Sequence, residues 1–235
     1  MIEDVDAVTI SFPMKLRAIA WLVAISLALL RNASGQSFVN LDFEDATIVP
    51  DPSSSYYPYA VYATNAIPGW TVGGNFQGIN DIFYNTISLG APSVALFGTQ
   101  PPIYGPGPLD GVFSIDLFNS ASISQTATVP TNSASIQFIA QPPNPFLGGA
   151  LLVSLGGQNI TFSGISTGPN YTLYGGNIPS GLTGQMEQLT FAAASGDNNY
   201  WEIDDIQFST LSVPEPSAFG LLALSGLFFG LRRSK

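Results

Sequence analysis

From Gln36 to Val213 the chain contains no Lys, Arg, His or Cys, yet it carries twelve Asp and Glu residues in those 178 positions. Such a body cannot be held by side-chain ion pairs, disulfides or thiolate-bound zinc. Apolar packing and backbone hydrogen bonding must do that work. The same deficit removes most catalytic chemistry. A serine hydrolase of the usual form lacks its His, phosphoryl transfer lacks its Lys or Arg, and no Gly-rich phosphate loop is present. A formal charge of −12 repels phosphate backbones, so nucleic acid is excluded as a partner, whereas cations and neutral sugars are compatible. The length fits one domain.

The six basic residues all sit at the two ends. Met14-Lys15-Leu16-Arg17 precedes an apolar run from Ala18 to Leu30, then Ala33-Ser34-Gly35. A short basic region, an apolar stretch of roughly 7 to 15 residues and small side chains at a cleavage point describe a secretory signal peptide. Cleavage after Gly35 would leave Gln36 as the new terminus. Glu3, Asp4 and Asp6 conflict with a basic leader, so translation is expected to begin at Met14, with residues 1–13 a start-site artefact. A longer leader or a retained signal anchor is the alternative. The expected organisation is a leader and signal segment over 1–35, one domain over 36–212 and a C-terminal segment over 213–235.

That last segment reads Val213-Pro214-Glu215-Pro216, an apolar stretch from Ser217 to Leu231, then Arg232-Arg233-Ser234-Lys235. Fifteen helical residues cover about 22 Å of a roughly 30 Å hydrocarbon core, which makes a short transmembrane helix and a marginal anchor. The terminal basic cluster places that end in the cytoplasm. These elements in this order, paired with an N-terminal signal, resemble the PEP-CTERM sorting signal of Gram-negative bacteria. The resemblance implies that Pro214, Glu215 and Pro216, with Arg232 and Arg233 behind the helix, are read by an exosortase that cleaves near the motif. It also implies export by the general secretion machinery, an inner-membrane-anchored intermediate, and a destination at the cell surface or in an exopolysaccharide matrix. An ordinary tail anchor with a Pro-containing linker is the alternative.

In the body, apolar residues recur at every second position in short runs, which is the strand period. Val39, Leu41 and Phe43 alternate with Asn40, Asp42 and Glu44. Phe113, Ile115 and Leu117 alternate with Ser114 and Asp116, Ile136 and Phe138 flank Gln137, and Ile160 and Phe162 flank Thr161. Further strands are expected over Tyr59–Thr64, Asp81–Leu89, Ser93–Gly98, Ala121–Val129, Ala150–Leu155, Gln185–Ala194 and Tyr200–Phe208. Loops rich in Pro and Gly span Pro50–Pro58, Thr99–Gly111, Gln141–Gly149 and Gly164–Asn170. About ten short strands with turn signals between them predict an all-β fold, an antiparallel jelly-roll β-sandwich flanked by an N-terminal signal helix and a short C-terminal transmembrane helix. In the last strand Trp201 and Ile203 share one parity and Ile206 and Phe208 the other, so a β-bulge is expected at Asp204-Asp205.

Asn40-Leu41-Asp42-Phe43-Glu44, Ile67-Pro68-Gly69-Trp70 and Trp201-Glu202-Ile203-Asp204-Asp205-Ile206 resemble the first strand, early loop and last strand of galactose-binding-like jelly rolls, a fold of many carbohydrate-binding modules. The resemblance implies a structural calcium on Glu44 and Asp205, an ion served by hard oxygens alone. A solvated acidic sheet edge is the alternative. For a sugar ligand, Tyr57, Trp70 and Tyr104 are the candidate stacking rings, set among Tyr56, Tyr59 and Tyr62, with Asn75, Gln77 and Asn80 as polar contacts; polysaccharide is the partner such rings would take. Core packing of the same rings is the competing reading. A glycosidase needs only two facing carboxylates, and Asp81, Asp110, Asp116 and Glu187 are available, but no spacing pairs them. The chain is therefore expected not to be an enzyme. Asn159-Ile160-Thr161 and Asn170-Tyr171-Thr172 fit the N-glycosylation pattern, which in a bacterium says little.

Overall fold

The computed structural model describes residues 36–88, 91–100, 107–141, 149–196 and 199–214. The signal segment with its Met14 start and Gly35 cleavage point lies outside them. So do Tyr104, Glu215, Pro216, the C-terminal apolar stretch, Arg232 and Arg233. Among the described residues no helix is long and apolar enough to cross a membrane.

The body is a β-sandwich. Its strands are β1 (Ala60–Tyr62), β2 (Thr71–Gly73), β3 (Asp81–Tyr84), β4 (Ser93–Gly98), β5 (Phe113–Phe118), β6 (Ser122–Thr128) and β7 (Ser135–Gln141). They continue with β8 (Leu151–Leu155), β9 (Gln158–Asn159), β10 (Phe162–Thr167), β11 (Thr172–Asn177), β12 (Met186–Ala193) and β13 (Tyr200–Ser209). One turn of helix, α1 (Ala63–Ala66), follows β1. The larger sheet has the order β1-β3-β4-β5-β13-β7-β11-β10, and the smaller β2-β6-β12-β8-β9. From β5 onward the path alternates between sheets, as a jelly roll requires: β5 large, β6 small, β7 large, β8 and β9 small, β10 and β11 large, β12 small, β13 large. The pairing is antiparallel except between β3 and β4, which run parallel.

The alternation read from the sequence sets the two faces. In β5, Ile115 and Leu117 enter the core; in β7, Ile136, Phe138 and Ala140 do so; the smaller sheet answers with Ile123, Val153, Leu155, Leu189 and Phe191. Each such side chain contributes roughly 1.5–3 kcal/mol by leaving water. With no ion pairs to draw on, this layer carries the fold.

The structure departs from the expected elements at several places, among them β2, which no expected strand covers, and the helical turn at Ala63–Ala66, which ends the strand expected over Tyr59–Thr64. No strand forms over residues 39–44, and residues 41–45 turn instead, because Asn40 and Phe43 adopt left-handed φ values of +49° and +58°. The segment is tied to β6 by one side chain: Val39 N–H donates to Gln125 Oε1 at 2.7 Å and Gln125 Nε2 donates to the Val39 carbonyl at 3.0 Å. That geometry turns Phe43 into the core against Trp70, with ring centroids 5.7 Å apart. The span Gly164–Asn170, expected as a loop, is strand as far as Thr167. Its partner β11 was not expected, since Tyr174-Gly175-Gly176 breaks the alternation. The predicted bulge is present, with a register shift between Asp204 and Gln207 against β7 and φ of +47° at Asp205.

Candidate functional site

Two carboxylates converge on the segment that leads into β5. Glu44 Oε1 accepts from the Val112 and Phe113 N–H groups at 2.7 and 3.0 Å. Asp204 Oδ2 accepts from Asp110 N–H at 3.2 Å, and its Oδ1 from Asp205 N–H at 2.7 Å. Gly111 between them has φ of +56°, and a Cβ there would strike the Glu44 carboxylate. Burial pushes the Asp204 carboxyl up to about 8 against the pull of its amide bonds, and the charges of Asp205 and Glu44 add to the rise. Asp205 is also raised, by partial burial and by the charges of Asp110 and Asp42.

Of the two acids expected to hold calcium, Glu44 is bonded to the backbone that leads into β5, and Asp205 stands exposed on the left-handed turn of the bulge, next to the buried Asp204. Among the described residues no group of three or more acids is arranged to hold a metal ion.

A second acid pair sits on the outer face of the larger sheet. Asp116 on β5 and Glu202 on β13 are directly opposite in register, and only 2% and 0% exposed. Ser114 Oγ donates to Glu202 Oε1 at 2.5 Å, while Asp116 Oδ1 and Glu202 Oε2 are buried with no hydrogen-bond partner. Burial pushes Asp116 up to about 7. It pushes Glu202 up to about 8, opposed by the Ser114 bond and reinforced by the charges of Asp116 and Asp204. Of the acids considered for a glycosidase, Asp110 belongs to the corner, Glu187 lies on the smaller sheet and Asp81 lies beside Asp51. Glu202 was missed as the partner of Asp116. Pairing the alternation of 113–118 with that of 200–203 is the signal that would have found it.

The candidate rings separate. Trp70 is core, 6% exposed, with its indole N–H donated to the Asn40 carbonyl at 2.8 Å, so the sugar-stacking role expected for it is corrected. Tyr57 is 58% exposed, and Tyr56, Tyr59, Phe76 and Ile79 are exposed with it. Tyr56 packs edge-on against Phe76 and Phe83, at 5.3 and 5.6 Å between centroids, which holds the patch in shape. Tyr62 instead donates to Asp51 Oδ1 at 3.0 Å. Asn75 shapes the adjoining turn by donating to the Gly78 and Asp81 carbonyls at 3.0 and 2.7 Å. Gln77 buries both amide atoms without a partner, and Asn80 is exposed.

The chain leaves the body beside β11. Ser135 Oγ donates to the Leu211 carbonyl at 2.7 Å, Val213 N–H donates to Asn177 Oδ1 at 2.7 Å, and Asn177 Nδ2 donates back to the Val213 carbonyl at 2.9 Å. Residues 212–234, which start inside this clasp, match the PEP-CTERM protein-sorting motif. The tail is a PEP-CTERM sorting motif. It indicates a protein sorted by an exosortase, and it implies export and membrane-anchored processing toward the cell surface.

No curated protein matches the chain. Among solved structures, this chain is similar to TmCBM61, solved with β-1,4-galactotriose, at 13% identity over 74% of this chain and 97% of that one, TM-score 0.43. It is also similar to a cyclase from Fischerella sp. TAU, solved with 4-(1H-indol-3-yl)butan-2-one, at 12% identity over 75% of this chain and 97% of that one, TM-score 0.42. An apo cyclase from Fischerella sp. is 12% identical over 73% of this chain and 93% of that one, with a TM-score of 0.40.

Proposed function

We propose that the chain is delivered by its PEP-CTERM motif to the cell surface or extracellular matrix, where the mature body is a structural or adhesive component that holds polysaccharide. The observation that carries this reading is the exposure of Tyr56, Tyr57, Tyr59, Phe76 and Ile79, with Tyr56 packed on Phe76, on a body without a single cationic side chain. Exposed apolar patches mark binding surfaces, and exposed aromatic rings can stack on the C–H faces of sugar rings. The acidic body favours neutral over acidic glycans. This is binding without turnover: bound glycan is recovered unchanged.

A glycan array followed by pull-down of neutral and acidic polysaccharides tests it. The wild type binds a neutral glycan, and Tyr57→Ala weakens that binding about tenfold, the loss of roughly 1.4 kcal/mol. Absence of binding to every glycan, or release of shortened product, overturns the reading. A structural calcium on Glu44 and Asp205, completed by carbonyls and water, belongs to the same proposal. Calcium then raises the thermal midpoint of the wild type but not of Glu44→Gln, and equal responses in the two proteins remove the ion from the reading. Intact-mass analysis in the native host tests delivery: a species from near Gln36 to around Pro214–Pro216 accumulates only when the exosortase is present.

A further inference from the structure

The five strands of the smaller sheet hold one charged residue, Glu187 on β12. Glu187 keeps the parity of Leu189 and Phe191, which enter the core. Its carboxylate lies against the turn between β8 and β9, where a Cβ on Gly156 would stand 2.6 Å from Oε2. The outer face of this sheet is therefore free of charge. It is also open: none of its outward residues is buried, whereas Ser114, Asp116 and Glu202 on the outer face of the larger sheet are.

Strand pairing aligns one polar row across that face. Thr71 on β2 stands opposite Ser124 on β6, Ser124 opposite Thr190 on β12, Thr190 opposite Ser154 on β8, and Ser154 opposite Asn159 on β9. Residues opposite each other in antiparallel strands share a face, and neighbouring strands lie about 4.7–4.9 Å apart, so five hydrogen-bonding side chains stand at even steps over about 19 Å. From the next row Gln188 Nε2 donates to Ser124 Oγ at 3.4 Å. Leu152 and Met186, 51% and 59% exposed, stand on either side of the row and add apolar surface.

The chemistry of the row selects its occupant. Without charge it offers nothing to an ionic partner, and protein interfaces are poor in serine. A hydroxyl donates one hydrogen bond and accepts two, which matches the hydroxyls of a neutral polysaccharide. Thr71 and Thr190 are stiff at χ1, so little freedom is lost on contact. Tyr56, Tyr57 and Tyr59 lie just before β1, the edge strand of the larger sheet, so rings and row are carried by different sheets. We propose that the row of Thr71, Ser124, Thr190, Ser154 and Asn159 is a second polysaccharide surface that lays a neutral chain across the strands, so that one body holding another chain on its rings cross-links the two. This rests on the glycan-binding reading above.

The test mixes the full chain with beads coated with dextran, mannan, a mixed-linkage β-glucan or any neutral polysaccharide that the pull-down retains, and with alginate as the anionic control. Binding and bead clustering are both followed. The wild type clusters neutral beads and not alginate. Ser124→Ala with Thr190→Val removes two hydroxyls from the middle of the row; this protein binds through its rings but clusters beads about fivefold less. Ser124→Thr with Thr190→Ser keeps the hydroxyls and clusters like the wild type. Tyr57→Ala retains weakened binding, which the hydroxyl deletions lower about threefold further. A deletion variant that clusters like the wild type, or a Tyr57→Ala protein with no binding left, overturns the proposal and leaves the ring reading standing. Without glycan the wild type and the deletion variant sediment alike; a smaller species in the variant makes the row a contact between copies and overturns the proposal too. A wild type that binds neither these beads nor any glycan of the array overturns both.

Discussion

Asp116, Glu202 and Asp204 keep protons in the folded chain up to about 7, 8 and 8, whereas exposed in an unfolded chain they would ionise near 4. Between those limits the folded state binds more protons, so stability falls as pH rises. Their contribution is complete below about 4 and is lost by about 8. Asp51 works in the opposite sense. Hydrogen bonds from Ser53 hold its carboxyl below the ordinary value, so its contribution is present above the usual carboxylate range and lost as pH falls. The thermal midpoint should therefore peak in mildly acidic solution and decline toward pH 9. Replacing the facing acids by Asp116→Asn with Glu202→Gln should flatten the alkaline limb, measured by thermal unfolding from pH 4 to 9. A midpoint that rises with pH through that range would contradict the burial of these acids. Phe43 and Trp70 give a second test at this scale: Phe43→Ala empties a fully buried site and should cost about 3–5 kcal/mol by denaturant unfolding.

At the level of elements, the bulge in β13 decides which of its two acids is buried: Asp204 is, and Asp205 is exposed. Asp205 takes a left-handed φ, a conformation that costs a residue other than glycine about 1–2 kcal/mol. Asp205→Gly should be neutral or slightly stabilising, and Asp205→Val should lose about 1–2 kcal/mol, both read from denaturant midpoints. The bulge was legible in the sequence because the apolar parity changes between Ile203 and Ile206. The direction of each acid at the bulge was not, since that depends on which residue absorbs the extra step. β4 was legible as a short apolar run, Val94-Ala95-Leu96-Phe97, buried on both faces, whereas β5 and β12 were legible by their alternation. Residues 39–44 show its limit. Their alternation is as regular as that of β5, but the backbone turns at Asn40 and Phe43 and is held by Gln125, a contact 86 residues away. The hairpin of β10 and β11 was hidden by its glycines. Gly175 and Gly176 are there because Val213 and Thr161 press against them, a tertiary reason that no local pattern shows. Of the candidate rings, Tyr57 and Trp70 look alike in sequence; burial by Phe43 separates them.

Across the whole molecule, two half-sheets depend on one strand. β5 and β7 do not pair with each other; β13 lies between them and pairs with both. A chain ending at residue 199 should consequently have no cooperative unfolding transition, whereas one ending at Val213 should unfold as a single unit, seen by circular dichroism on heating. A truncated chain that melted cooperatively would show that the halves close without their middle. The strand at the centre of the larger sheet is also the last to be made. A chain threaded across a membrane from its N-terminus would present β1 to β12 on the far side and still be unable to join them, and so would stay pliable during passage. Closure would come only with residues 200–209, just ahead of the tail, so that completion of the fold and arrival of the sorting signal at the membrane fall at the same moment.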